Sequence, residues 1–477
     1  MPVVSSLLWP LALLIIASAF LAVTTTSTLP ITAPLGTAVL LSTVFYWVLW
    51  RRRRHVIPWF EIGAVYVAVV TLYLVYPLVG FLAVHGTYTI TNDIRLAYFQ
   101  PGAQEVGAIA WLYIWHLGSF VVAYVLVRGR LPLVQRALRF PTMAVFVAVA
   151  ALYLVIQAFT IFVGLFYDTS AGTYLETYLV QRRLPLLLAQ GLSHLNGMKH
   201  ALAIVLLAAL FSRYPRTRWV ILGWIALTAA ISVTRLASRT EVVLLVLASA
   251  MMYQLVVKPV SLRFVLSVAA VGLAGFIAFG FWRHGVVVDR YSWFSVFAHA
   301  SEFEVLLGNA FDLALKQSNG SLGILPAGFH FADLTGLVPQ QLAPFQKIDP
   351  ADWYVSTFYP AYAAQGGGLA FGTIAEAVLT GGWVSAAARG AALGFCFAKI
   401  HRFYVNHASN YWVLAAYVWL TSLSYQSFRN RTFVLLLLFV YRFLPAMIAV
   451  KVLVTILNRA ARHVRVTFPG RFAKAPA

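Results

Sequence analysis

RRRRHVIPWFEIGAVYVAVVTLYLVYPLVGFLAV, residues 51–84, decides the class of fold. Four arginines and a histidine end at His55, and from Trp59 to Val84 the only charged side chain is Glu61. A bilayer core about 30 Å thick needs roughly 20 mostly apolar residues per helix, so 59–84 is long enough to cross it. The basic turn in front sets the direction of crossing, because Lys and Arg collect in cytoplasmic loops.

The rest of the 477-residue chain repeats this pattern. It is 61% hydrophobic and only 10% charged, with a mean hydropathy of +0.82, far outside the range of soluble globular proteins. Apolar runs bounded by charged or Gly/Pro turns predict spans at 6–26, 33–50, 59–84, 106–127, 142–167, 201–213, 219–234, 241–257, 264–282, 383–400, 411–428 and 432–456. The predicted fold is therefore an all-α polytopic membrane protein of about 12 transmembrane helices. Residues 1–282 hold spans one to nine, 283–382 form a large, partly helical loop, and 383–477 hold the last three spans and a basic tail. Residues 1–8 lack Lys and Arg, so 6–26 reads as a retained span rather than a signal peptide.

With 51–55 cytoplasmic, the basic turns at 128–141, 213–218, 258–263 and 399–402 and the tail from Arg459 fall on the same side, and both termini are cytoplasmic. The net charge of +21 is thus spread along a membrane face and does not point to a nucleic-acid partner. Thirteen of the fourteen carboxylates fall on the opposite side, and Glu61 alone does not. Acidic residues contribute little to orientation, so this bias places the polar work on the outer face. The single cysteine, Cys396, excludes an intramolecular disulfide framework and a CxxC metal site.

The longest outer segment is 283–382, and a loop of that size usually carries function. Within it, 291–316 has helical apolar spacing and predicts an amphipathic helix on the membrane surface. Residues 318–360, with five prolines, predict irregular structure. The loop closes with GGGLAFGTIAEAVLTGGW, 366–383, in which Glu376 is the only charge. Carboxylates at a membrane edge are costly, and the glycines let backbone approach backbone or ligand, so the segment reads as re-entrant with Glu376 facing a cavity. Its carboxylate is a candidate general base, or else half of a helix-end ion pair with an arginine.

Outer-side arginines form three clusters: Arg235 and Arg239 in TRLASRTE, Arg283 and Arg290 in FWRHGVVVDR, and Arg429 and Arg431 in FRNRT. The planar guanidinium binds oxyanions through two parallel hydrogen bonds, so together they form a candidate phosphate or pyrophosphate clamp. His299 and Glu302 lie three apart in FAHASEFE and make a second candidate base with its orienting carboxylate. No HExxH or comparable metal spacing occurs.

Three of these features resemble the Wzy-type oligosaccharide repeat-unit polymerases, the O-antigen polymerase family: TRLASRTEVVLLVLASA at 234–250, the late loop ending in GGGLAFGTIAEAVLTGGWVSAAARGAALG, and FRNRT before the last span. The resemblance covers the layout of the whole chain and, as motifs, about 234–432. It implies a membrane glycosyltransferase of the bacterial inner membrane, without metal or other cofactor. Its donor and acceptor would both be glycans linked to undecaprenyl pyrophosphate, joined on the periplasmic side. It further implies that Arg235, Arg239, Arg283 and Arg429 hold the donor, that Glu376 or His299 is the base, and that a chain-length regulator and a flippase are partners. One departure is Ala377-Val378-Leu379-Thr380, where the family carries an aromatic or Asn-containing run; exopolysaccharide or capsule is therefore as open as O-antigen. Two further readings share the layout: an O-antigen ligase, and a transporter or lipid-linked oligosaccharide flippase, the latter disfavoured by the lack of repeated halves.

Overall fold

The computed structural model describes residues 29–52, 59–83, 102–129, 143–166, 185–213 and 239–257, isolated positions between 223 and 274, and most of 303–467. Every regular element among them is helical. The first five are α1 (Leu29–Arg52), α2 (Ile62–Ala83), α3 (Ala103–Arg128), α4 (Met143–Phe166) and α5 (Leu186–Arg213). Then α6 (Arg239–Met252) continues into a π-helical turn at Tyr253–Val257.

Shorter helices follow: α7 (Phe303–Ser318), α8 (Ala332–Thr335), α9 (Pro350–Phe358), α10 (Pro360–Ala364) and α11 (Thr373–Thr380). The chain ends with α12 (Gly382–Asn406), α13 (Tyr411–Ser422), α14 (Gln426–Arg429), α15 (Val434–Leu438), a π turn at Phe439–Phe443, and α16 (Leu444–Thr467).

Five helices are long and apolar enough to cross a bilayer: Leu29–Arg51, Ile62–Leu82, Ala103–Arg128, Met143–Val163 and Val434–Arg459. They match five of the predicted spans, and the protein is an all-α membrane protein. Residues 6–26, and most of 219–234 and 264–282, lie outside the described residues. The expectation for 201–213 needs extending, because α5 begins fifteen residues earlier, at Leu186. Gln190, His194, Asn196, Lys199 and His200 lower the hydropathy of 186–200 without breaking the helix. Two of them meet the bundle: Thr160 Oγ1 on α4 donates to Asn196 Oδ1 at 3.3 Å, and Lys199 is buried.

The centre of the bundle is the pairing of α3 with α12. Ala386, Gly390, Gly394 and Ala398 recur every fourth residue along α12, and all four are buried. A Cβ at Gly390 would lie under 3.0 Å from the His116 carbonyl oxygen, and one at Gly394 equally close to that of Phe120. Small residues let two backbones meet in this way. The two contacts advance together along both helices, so α3 and α12 run parallel. Tyr66, Phe120, Phe397 and Phe428 fill the space beside them, with Tyr66 and Phe397 edge to face at 5.3 Å.

Helix termini follow their local chemistry. Arg128 sits in the last turn of α3, where a cation suits the helix dipole, and Gly129 ends the helix at φ +63°. Asp349 caps α9 by accepting from Ala351 N at 2.9 Å, with Pro350 in the first turn.

The predicted amphipathic helix is present over its described part as α7, but it is not laid on a surface. Asn309 and Asp312, on what would be its polar side, are fully buried. Asp312 Oδ2 accepts from Tyr354 at 2.5 Å and Tyr359 at 2.7 Å, and Lys316 donates to Oδ1. Asn309 Nδ2 donates to the Ala370 and Phe371 carbonyls. These bonds tie α7 to α9 and to the segment entering α11, so its polar face is occupied by protein. The expected irregular stretch 318–360 contains turns, α8 and α9.

Candidate functional site

Gly372 adopts φ +90°, a conformation that side-chain-bearing residues rarely take, and its N–H donates to the Asn430 carbonyl at 3.0 Å. From there α11 runs for eight residues, with Thr373 to Leu379 all buried. Gly381 and Gly382, at φ +134° and +58°, turn the chain directly into α12. The Gly-rich segment is thus a tight helix-turn-helix, and its short arm is enclosed by α7, α12 and the 426–432 region.

This fold places Glu376 at the centre of a polar cluster. Its Oε2 accepts from Arg389 Nη1 at 2.6 Å, from Thr432 N at 3.1 Å and from Thr432 Oγ1 at 2.8 Å. Arg389 Nη1 also donates to Thr432 Oγ1 at 2.7 Å, and Arg389 Nε donates to Ser385 Oγ at 3.1 Å. Among the described residues, Arg389 Nη2 makes no hydrogen bond. Thr373 Oγ1 donates to the Ser427 carbonyl at 2.6 Å and completes the join between the two segments. The Glu376 side chain is 6% exposed and that of Arg389 is 18%. A charged pair this enclosed holds a fixed geometry.

The structure brings the Gly-rich segment and FRNRT together, although 56 residues separate Glu376 from Thr432. Of the six predicted arginines, Arg429 ends α14, and Arg431 faces Asp349 at 3.6 Å. Arg239 opens α6. Arg235, Arg283, Arg290, His299 and Glu302 lie outside the described residues. The ion-pair alternative for Glu376 is the arrangement present, and its partner, Arg389, is a residue the sequence reading did not single out. The available signal was a lone arginine in the first half of an apolar helix, one hairpin away from a lone glutamate.

A second buried ionic network lies farther along α12. Glu61, just before α2, pairs with Arg128 at the end of α3: Arg128 Nε reaches Oε1, and Nη2 reaches Oε2 at 3.1 Å. Tyr124 donates to Oε1 at 2.6 Å, and His401 Nε2 lies 3.5 Å from Oε2. The Tyr417 hydroxyl accepts from Ile62 N at 3.1 Å and shares a hydrogen bond with His401 Nδ1 at 2.9 Å. Every side chain in this group is almost fully buried. His116 is likewise satisfied in the core, its Nδ1–H donating to the Ala386 carbonyl at 3.2 Å and its Nε2 accepting from Tyr66 at 2.8 Å.

Comparison with protein-family models, curated proteins and solved structures finds no match to this chain.

Proposed function

We propose that the protein is a membrane glycosyltransferase that polymerises oligosaccharide repeat units carried on undecaprenyl pyrophosphate, in the manner of the Wzy-type polymerases. In this reading the chain has about twelve spans in the bacterial inner membrane, with both termini cytoplasmic and 283–382 forming a periplasmic loop. A chain-length regulator and a flippase act beside it.

One observation carries the proposal. The Gly-rich segment and FRNRT, which support the resemblance separately in sequence, meet at the enclosed Glu376–Arg389–Thr432 cluster.

The chemistry assigns roles to the residues. The acceptor sugar's hydroxyl oxygen forms the new bond to the donor's anomeric carbon, and undecaprenyl pyrophosphate leaves with the electron pair of the bond that breaks. Arg389 Nη2, together with Arg235, Arg239, Arg283 and Arg429, offers guanidinium donors to that anionic leaving group. The hydroxyl proton goes to His299, oriented by Glu302, or to Glu376. Glu376 Oε2 accepts three hydrogen bonds, which hold the carboxylate in a fixed orientation.

The test is the surface glycan profile of a deletion strain resolved by length. Loss of long chains with single repeat units retained supports a polymerase. Long chains left on undecaprenyl pyrophosphate indicate a ligase, and repeat units held on the cytoplasmic side indicate a flippase; either overturns the proposal.

A further inference from the structure

The short-helix segment between α7 and α11 carries an apolar surface that the bundle does not cover. From Leu334 to Gln346 the sequence LTGLVPQQLAPFQ holds no charged residue. Leu334, Leu342 and Phe345 are 58%, 73% and 41% exposed. Single exposed apolar residues are ordinary, but an uncharged stretch that presents three large ones marks a contact surface. The next charge, Lys347, is turned inward: its Nζ donates to the Val338 carbonyl and brings the two ends of 338–347 together.

The last span fixes where this surface lies. Tyr441 donates to the Leu337 carbonyl at 2.9 Å. Ile448 and Val452, seven and eleven residues further on, share the helix face of Tyr441 at helical spacing, and both are exposed. The tether therefore joins the segment to the side of the span that is open to lipid. A hydrocarbon core about 30 Å thick takes roughly 20 of the 26 residues Val434–Arg459. Tyr441 is the eighth of those residues, so it falls at or inside the edge of the core wherever along the span the core is placed. Helical side chains lean toward the helix N-terminus, and the Tyr441 hydroxyl accordingly rises toward the Val434 end and meets Leu337 at the membrane boundary. An apolar surface held at that boundary, on a lipid-facing side, matches acyl chains rather than water.

We propose that Leu334, Leu342 and Phe345 enter the bilayer at the Val434 end of the last span and anchor the short-helix segment in that leaflet. The sequence assigned this membrane contact to 291–316, whose described part, α7, has its polar residues closed off by protein; the anchor lies instead in the stretch expected to be irregular. The inference is independent of the polymerase reading, since it rests on the span and the segment alone.

The experiment uses the full chain in nanodiscs of phosphatidylcholine, with Cys396→Ser as background and one cysteine at a time introduced at 334, 342 or 345 to carry a nitrobenzoxadiazole fluorophore. The same label at 448, on the exposed face of the span, is the lipid reference, and at 321, in an exposed turn after α7, the water reference. Quenching by nitroxide-bearing phosphatidylcholine is read against quenching by iodide in solution. The labels at 342 and 345 are expected to be quenched by the lipid nitroxide several-fold more than the label at 321, close to the value at 448, and to be shielded from iodide. Iodide quenching at 342 and 345 equal to that at 321 places the surface in water and overturns the proposal. Shielding from both quenchers means that a second copy or another protein covers it, and overturns the proposal equally. If the probe at 342 or 345 prevents folding, the label at 334 decides between the same outcomes.

Discussion

The two buried ionic networks are built from the same groups and differ in what they leave open. Around Glu61, both carboxylate oxygens are engaged by Arg128, and Tyr124, His401 and Tyr417 close the remaining directions. Around Glu376, Oε2 takes the contacts from Arg389 and Thr432, and among the described residues Arg389 Nη2 makes no hydrogen bond. The networks sit about 18 Å apart along α12, from Arg389 to His401, at 1.5 Å per residue. A closed network fixes helices, and an open one can also bind. The first is therefore expected to cost stability when broken, and the second to cost activity.

The largest effect should follow Glu61→Gln, which leaves the buried Arg128 without its anion. We expect a loss of about 3–5 kcal/mol, read as loss of monodisperse protein in detergent and a large fall in Tm. Replacing Arg128 with Met in the same background should recover part of it. Gly390→Ala, which drives a methyl group into the His116 carbonyl, should cost about 1–3 kcal/mol, and His116→Ala should not relieve it because the clash is with backbone.

Glu376→Gln is the converse case. Its fall in Tm should be smaller than that of Glu61→Gln, while long-chain polysaccharide is lost from a strain carrying it at normal membrane abundance. Equal destabilisation by the two substitutions with polymer intact would erase the distinction between the networks. Thr432→Val removes one donor to Glu376 and one acceptor from Arg389, and should cost about 1 kcal/mol with a partial loss of chain length. Asp349→Asn should be the mildest. Its contact with Arg431 is 3.6 Å long, the Asp349 side chain is 47% exposed, and such pairs contribute under about 1 kcal/mol. Asn also preserves the cap on α9.

The sequence shows most of what hydropathy controls and less of what pairing controls. Spans such as 59–84 and 106–127 correspond to α2 and α3 because an apolar run of that length has one stable arrangement in lipid. Glu61 also stood out in sequence as the carboxylate on the wrong side, and it proves to be the centre of a network. By contrast, hydropathy marks only the second half of α5, because its polar first half looks like a loop until its neighbours are placed. Arg389 was missed for a related reason: its role depends on a Gly381–Gly382 turn that folds α11 back against α12, and window averages do not register a turn. Asp312 and Asn309 likewise look like the wet side of an amphipathic helix, and only the tyrosines of 354 and 359 and the 370–371 carbonyls explain their burial.

The glycine stripe of α12 has a consequence for how the protein is made. His116 and the Ala386 carbonyl that it contacts are 270 residues apart, and His401 is needed to finish the network that Glu61 begins. During synthesis, α3 is therefore complete long before its permanent neighbour emerges from the ribosome. The surface that α12 will cover must meanwhile face lipid, an insertase or a provisional helix. Assembly of this bundle is a late event, and truncation before residue 402 leaves the first half with an unfilled slot and a buried Glu61–Arg128 pair lacking its histidine.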